Sequence, residues 1–232
     1  MLSPTTLKKR LYYIQDRINK AAINAGRKPQ HITLIAVTKS FPKEIWEQAL
    51  FVNLTTLGES RIQEAQEKLE TFLKRDKIKL HLIGHLQSNK VRKAVKIFDV
   101  IQTVDSVNLA EKIDRICKED FKKQHIYIQI NTGADPKKRG ISAKNAISSA
   151  LKISKMENLN LDGIMTIPPR GLTKTKLSLV YRKTREIRDE ICSRINKRCQ
   201  NISMGMSSDY ETAITEGATH IRIGTGLFGT RE

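Results

Sequence analysis

One lysine stands where a side-chain amine could become a nucleophile. Lys39 follows the apolar run Ile32–Val37 and shares a face with Ile35 and Val37, because side chains alternate along a strand. A lysine directed inward at a strand end would be desolvated, which lowers its pKa and leaves an amine able to attack an aldehyde. A lysine there can also extend into solvent, so the prediction depends on its companions.

An arginine and a glycine-rich turn near the end of the chain are the first residues that could form a site with Lys39. Alternation in the apolar segment Thr219–Ile223 places either Arg222 or its neighbours Ile221 and Ile223 inside. An inward arginine needs an acceptor or an anion, because its charge cannot be removed. The following Gly224–Gly226 segment offers unobstructed backbone N–H groups and one hydroxyl that could hold phosphate, although such turns also occur without a ligand.

The segment Ser203–Asp209 offers a second place for phosphate. It joins a predicted strand to a predicted helix, whose first N–H groups would point toward the Gly224–Gly226 turn. Ser208 with Glu211 three residues later fits a capping box, which explains this serine by helix stability alone. Ser207 is therefore the better candidate for a phosphate ligand.

The elements that must position these residues alternate along the chain. An opening helix is predicted with Ser3 as its N-cap and Pro4 at its first position. Strands are predicted at Ile32–Val37, Leu54–Leu57, Lys79–Ile83, Phe98–Thr103, His125–Ile130, Leu159–Met165, Asn201–Ser203 and Thr219–Ile223. Helices are predicted at Lys43–Phe51, Arg61–Leu73, Ser88–Ile97, Val107–Lys122, Ala143–Met156, Lys176–Cys199 and Tyr210–Gly217.

About eight strands, each followed by a helix, predict an α/β fold. The predicted architecture is a single (β/α)8 TIM barrel over residues 1–232, with an extra N-terminal helix. The alternative is a doubly wound open sheet. Barrels of this kind carry their chemistry where strands end and loops begin. Lys39 and both phosphate-binding candidates fall at such ends.

Charge and composition limit the possible partners. The 42 Lys and Arg residues exceed the 24 Asp and Glu residues, and the net charge of +18 favours anionic ligands. The basic residues are scattered over every predicted helix and aromatic residues make up 5%, so a nucleic-acid-binding module is disfavoured. Cys117, Cys192 and Cys199 lack metal-ligand spacing, so we predict reduced thiols and no metal.

The sequence also predicts where the protein is found and how it associates. No apolar run approaches the roughly 20 residues that cross a bilayer, and the first residues lack the order of a secretory signal. We therefore expect a soluble cytoplasmic protein with no membrane partner. Nothing resembling a heptad seam or a broad apolar face stands out, so we expect a monomer.

Six segments together resemble one family, the pyridoxal 5′-phosphate (PLP) homeostasis proteins of the YggS/PROSC type, relatives of the barrel domain of alanine racemase. The segments are Ala36–Lys39, Gly58–Glu64, His81–Lys90, Gly163–Pro168, Ser203–Asp209 and Arg222–Thr225. They occur in family order across nearly the whole chain. The resemblance implies a fold-type III PLP-binding barrel that holds PLP as a Schiff base. It also implies a role in intracellular PLP homeostasis and delivery to apo PLP-dependent enzymes, without substantial turnover.

The resemblance implies a role for the residues found above. Lys39 is similar to the lysine that forms the Schiff base with the PLP aldehyde. Arg222 is similar to the arginine that faces the pyridine nitrogen. Ser207 with the Gly224 and Thr225 amides resembles the phosphate cradle.

Other positions are implied by the resemblance or stay open. Met165 resembles the side chain beside the ring, and Ser60 replaces the usual asparagine, so that contact would be lost or bridged by water. Lys138 fits a family lysine that could attract phosphate or accept PLP in passing, but a solvated loop lysine is the alternative. His81 and His85 could act as acid/base groups, but they lack a carboxylate partner in register and are interpreted as hydrogen-bonded structural histidines.

The arginine opposite the ring nitrogen governs the expected chemistry. Arg222 would donate a hydrogen bond and keep that nitrogen unprotonated, which makes the ring a poor electron sink. Schiff-base exchange needs no ring carbanion and stays available. The alternative function is a weak PLP-dependent amino-acid racemase. Racemases of this fold take a second base, a tyrosine, from a domain after the barrel, whereas this sequence ends at Glu232, so we expect a carrier and not an enzyme.

Overall fold

The computed structural model describes residues 3–230, so the ends of the predicted domain, residues 1–2 and 231–232, lie outside the description. The strands are β1 (Thr33–Val37), β2 (Thr56–Glu59), β3 (Lys79–Leu82), β4 (Val100–Val104), β5 (Gln124–Asn131), β6 (Ile141–Ser142), β7 (Leu159–Met165), β8 (Asn201–Met206) and β9 (His220–Ile223). The α-helices are α1 (Pro4–Asn24), α2 (Ile45–Phe51), α3 (Ile62–Thr71), α4 (Val91–Ile97), α5 (Val107–Glu119), α6 (Ala146–Ile153), α7 (Lys174–Arg194), α8 (Tyr210–Thr215) and α9 (Thr225–Phe228).

Eight of these strands close into a parallel barrel. In the order β1-β2-β3-β4-β5-β7-β8-β9, each strand pairs with the next, and β9 returns to pair with β1. The two-residue strand β6 pairs with β5 and is not part of this ring. Because the ring has no open edge, the predicted (β/α)8 barrel is confirmed and the doubly wound sheet is wrong.

The N-terminal helix begins as the sequence predicts. The Ser3 hydroxyl accepts a hydrogen bond from the Thr6 backbone N–H, and Pro4 occupies the first turn, where no N–H is needed. The buried side chains of α1 include Leu7, Ile14 and Ile18. This face packs on the barrel layer beside α8 and α9, so α1 covers the region where the last strand ends.

Strand alternation separates an aliphatic outer layer from the barrel interior. Outward side chains such as Leu57, Leu80 and Ile101 belong to the large core between strands and helices. Ile221 and Ile223 belong to the same outer core, so Arg222 between them faces inward. The choice that alternation left open on β9 is thereby decided.

The interior is more polar than the layers of branched aliphatic residues usual in such barrels. His81, Gln102, Ser203 and Arg222 lie inside with exposed fractions of 4% or less. A small apolar cluster of Val100, Tyr127 and Met165 lies apart from the large core. Most apolar burial therefore lies between the strands and the helices, and polar side chains can occupy the barrel interior.

Candidate functional site

The ends of β1 and β9 meet closely at the carboxyl end of the barrel. A Cβ atom on Gly224 would lie 3.3 Å from the Val37 Cβ and carbonyl oxygen, so a glycine lets the two backbones approach. Lys39 follows two residues after the end of β1 and is partly buried. This contact brings the Lys39 turn next to the Gly224–Gly226 segment, as the sequence predicts.

The loop after β8 reaches the same place. The Ser207 hydroxyl accepts a hydrogen bond from the Gly226 backbone N–H at 3.3 Å, and both residues are exposed. The predicted Gly-Thr-Gly turn is instead the start of the short helix α9, because Leu227 and Phe228 turn into the core. Ser207 and the first N–H groups of α9 therefore share one spot on the rim.

The predicted capping box at α8 is wrong. The N-cap of α8 is Asp209, and its carboxylate accepts a hydrogen bond from the Met206 backbone N–H at 2.6 Å. Glu211 forms an ion pair with Arg17 of α1 and does not turn back to Ser208, which is exposed. The structure therefore gives Ser208 no part in capping the helix.

Arg222 is a buried cation whose partners are uncharged. Its Nη1 donates to Ser203 Oγ at 2.8 Å, and its Nη2 donates to the Thr166 carbonyl oxygen at 2.9 Å. None of the ion pairs formed within residues 3–230 includes it. Burial lowers the pKa of Arg222, while the nearby Tyr181 and Asp209 act to raise it. A buried guanidinium with this environment favours an anion or an acceptor atom beside it.

Met165 lies inside the barrel, and Ser60 lies at its rim. Met165 has no exposed surface and packs inside the barrel with Tyr127, and it is paired in register with Ser203. Ser60 follows β2, so it stands at the same rim as Lys39. A Cβ on Gly84 would lie 2.1 Å from the Ser60 carbonyl oxygen, which shows how tightly the backbone is packed there.

The two histidines of the third segment have different surroundings. His81 is buried, its Nδ1 lies 2.8 Å from Gln102 Nε2, and burial lowers its pKa well below the usual value. It is therefore a hydrogen-bonded structural histidine, as predicted. His85 is partly exposed, and its Nδ1 lies 3.5 Å from the Asp105 carboxylate. The sequence predicted that His85 lacks a carboxylate partner. This is wrong, because Asp105, the residue after β4, lies beside it.

Lys138 lies in the loop after β5, where its backbone N–H donates to the Asp135 carbonyl oxygen at 3.0 Å. Cys117, Cys192 and Cys199 are free thiols, as predicted. Across residues 3–230 no cluster of His, Cys, Asp and Glu is suited to hold a metal ion. No helix in that range is both long and apolar enough to span a membrane.

A buried ion pair behind the Lys39 turn was not predicted from the sequence. Lys68 Nζ lies 2.7 Å from Glu59 Oε1 and 2.7 Å from Glu64 Oε1, and the Lys68 side chain is 3% exposed. Burial raises the pKa of Glu59, and the Lys68 ammonium acts against that rise. Lys68 is one of many lysines on predicted helices, so its type and spacing alone gave no signal of burial.

This cluster holds the backbone on both sides of Lys39. Lys68 Nζ donates to the Thr38 carbonyl oxygen at 2.8 Å, and the Ser40 backbone N–H donates to Glu64. Ser40 has a φ of 61°, a left-handed conformation that is costly for a residue other than glycine. The cluster thus fixes the turn from which the Lys39 side chain leaves the strand.

Sequence comparison places this architecture among known proteins. Residues 14–232 match the family model described as alanine racemase, N-terminal domain. The chain is 36% identical over 223 residues to the pyridoxal phosphate homeostasis protein of Aquifex aeolicus (strain VF5), covering 96% of this chain and 97% of the relative. It is 32% identical over 224 residues to the protein of that name from Escherichia coli (strain K12), covering 96% and 95%.

Solved structures agree with this assignment. PipY of Synechococcus elongatus PCC7942, solved with PLP bound, superposes with a TM-score of 0.84 at 33% identity, covering 96% of this chain and all of PipY. Alanine racemase of Clostridium difficile 630 superposes with a TM-score of 0.73 at 18% identity, covering 97% of this chain and 57% of the racemase, which is a likeness of fold. The chain belongs to the family of pyridoxal phosphate homeostasis proteins, built on the barrel of the alanine racemase N-terminal domain.

Proposed function

We propose that residues 1–232 act as one domain that holds PLP as a Schiff base on Lys39 and serves intracellular PLP homeostasis and delivery. The observation that carries the proposal is Arg222, a buried cation without a carboxylate partner among residues 3–230, below the rim that bears Lys39. PLP brings an aldehyde for the lysine, a ring nitrogen that can accept a hydrogen bond, and an anionic phosphate. Its binding to PipY in a related structure supports the same reading.

Each part of PLP has a candidate partner on the rim or inside the barrel. Ser207, with the Gly224 and Thr225 amides, would hold the phosphate, since the Ser207 hydroxyl and the start of α9 already meet there. Met165 would pack beside the ring, and Ser60 would contact the cofactor directly or through water. The net charge of +18 adds a long-range field that favours a phosphorylated ligand.

Arg222 favours a carrier over a transaminase. PLP supplies an aldehyde that reacts with amines and a ring that stabilises carbanions when its nitrogen is protonated. An arginine donates a hydrogen bond to that nitrogen and does not give up its proton, so the ring stays a poor electron sink. Exchange of one amine for another at the aldehyde is unaffected. The recipients would be apo forms of PLP-dependent enzymes, and the chain would work as a cytoplasmic monomer.

Reduction with borohydride followed by peptide mapping tests the assignment of Lys39. We expect the purified protein, as isolated or after incubation with PLP, to absorb visible light, and the reduced pyridoxyl group to be found on Lys39. Lys39→Ala should lose the label, because the substitution removes the amine that would form the Schiff base. A label confined to Lys137 or Lys138 would contradict the proposed function.

A further inference from the structure

A continuous chain of hydrogen bonds crosses the inside of the barrel from Arg222. Arg222 Nη1 donates to Ser203 Oγ at 2.8 Å, Ser203 Oγ lies 2.7 Å from Gln102 Oε1, and Gln102 Nε2 lies 2.8 Å from His81 Nδ1. The four side chains come from β9, β8, β4 and β3, so the chain joins opposite sides of the ring. All four are buried, with exposed fractions of 4% or less.

The bonds of this chain share one direction. A guanidinium can only donate, so Ser203 Oγ accepts from Arg222, and the Ser203 hydroxyl donates its own proton to Gln102 Oε1. The Gln102 amide nitrogen then donates to His81 Nδ1. His81 must therefore be neutral with its proton on Nε2, and burial lowers the pKa of His81 well below its usual value. His81 Nε2 is buried and has no hydrogen-bond partner within residues 3–230, so the chain ends there.

The fixed direction matters because Arg222 has uncharged partners. Each group in the chain turns its negative end toward Arg222, and successive hydrogen bonds polarise one another in a medium of low dielectric constant. The chain thereby solvates a buried cation through Nη1, while the Thr166 carbonyl oxygen holds Nη2. Two fixed contacts set the plane of the guanidinium. Its remaining N–H groups are the ones available to a ligand.

We propose that Gln102 is a positioning residue for Arg222: acting through Ser203, it holds the guanidinium in the orientation from which Arg222 donates to the ring nitrogen of bound PLP. The inference rests on the proposed function and deepens it, because it names what sets the electronic state of the ring. Gln102 reaches Arg222 through the Ser203 hydroxyl, so its effect on the ligand is indirect.

The test gives the same substitution to two buried glutamines. Gln102→Leu removes both hydrogen bonds that Gln102 makes in the chain. Gln124 is the first residue of β5, and Gln124→Leu removes its amide contacts to the carbonyl oxygens of Phe98 and Asp99. Gln102 is fully buried and Gln124 is 1% exposed, so the changes in packing are matched. Titration with PLP gives the affinity, and NMR with ¹⁵N-labelled PLP reports protonation of the ring nitrogen.

We expect Gln102→Leu to weaken PLP binding about fivefold and to shift the ring-nitrogen signal, and Gln124→Leu to do neither. Gln102→Glu should restore both values, because a carboxylate oxygen still accepts from Ser203. That rescue would move the His81 proton to Nδ1, since a carboxylate cannot donate. Equal affinities and equal ring-nitrogen signals in Gln102→Leu and Gln124→Leu would overturn the proposal.

A measurement without PLP separates this proposal from the function on which it rests. In ¹⁵N-labelled, PLP-free protein, the ring nitrogens of His81 should show Nδ1 without a proton and Nε2 with one. A proton on Nδ1 and none on Nε2 would contradict the proposed hydrogen-bond chain, even if Gln102→Leu does not fold. Failure to label Lys39 with PLP would instead overturn the proposed function and leave this result unchanged.

Discussion

Two adjacent serines in the loop after β8 have different surroundings. Ser207 meets the Gly226 N–H at the start of α9, whereas Ser208 is exposed beside a helix that Asp209 caps. The capping box expected from the sequence required Glu211 to turn back toward Ser208. In the folded chain Glu211 pairs with Arg17, a partner that α1 brings from the far end of the sequence.

Ser207→Ala should weaken PLP binding much more than pyridoxal binding. The lost hydrogen bond would go to a charged phosphate, so the expected cost is about 1.5–3 kcal/mol of binding free energy. Titrations of both ligands by visible absorption measure the difference. Ser208→Ala is the matched control and should change neither affinity nor thermal stability. Equal losses for PLP and pyridoxal in Ser207→Ala would place that side chain away from the phosphate.

Single residues are easiest to pick out of the sequence where one strand decides their position. Lys39 and Arg222 became candidates because a strand end and a charged residue in an apolar strand are visible locally, although alternation left the direction of Arg222 open. Gln102 did not become a candidate, because its hydrogen-bond partner Ser203 lies 101 residues away in the sequence and on a distant strand of the ring. A glutamine among the apolar residues Val100, Ile101 and Val104 of β4 was the available signal, but its partner is defined only when the barrel closes.

Strands β2 and β8 end later in the structure than the sequence predicts. Strand β2 was predicted at Leu54–Leu57 and runs over Thr56–Glu59, because Lys68 lets the Glu59 carboxylate be buried in the strand. Strand β8 was predicted to end at Ser203 but continues to Met206, with an irregular register against β9. Both extensions depend on contacts between elements, which local periodicity does not contain.

Lys68→Met should lower the free energy of unfolding by about 3–5 kcal/mol at neutral pH. The substitution keeps the length of the side chain but leaves the Glu59 carboxylate buried without its cation, and one oxygen of that carboxylate already has no hydrogen-bond partner. Urea unfolding measures the loss. The double variant Lys68→Met with Glu59→Gln should recover a large part of it. Equal losses in the single and double variants would show that Lys68 stabilises by packing and not by charge.

Across the whole molecule, the outer face of the barrel is aliphatic and its interior is polar. The outer aliphatic layer supplies the apolar burial that holds the strands and helices together. The interior carries a polar chain ending at Arg222, and the rim carries Lys39 and Ser207. This division was predictable in outline, since alternating elements indicate a barrel and barrels carry chemistry at strand ends. The polar interior became visible only in the folded chain.

We expect this barrel to bind PLP without supporting chemistry on amino acids. The most direct measurement is exchange of the α-hydrogen of alanine in deuterated water, followed by NMR with the PLP-loaded protein. If Arg222 holds the ring nitrogen unprotonated and no second base reaches the α-carbon, the protein should show negligible exchange. Arg222→Glu should show slow but detectable exchange once PLP binding is verified by absorption, because a carboxyl group would let the nitrogen be protonated. Rapid exchange by the unsubstituted protein, at rates typical of racemases, would contradict the carrier account.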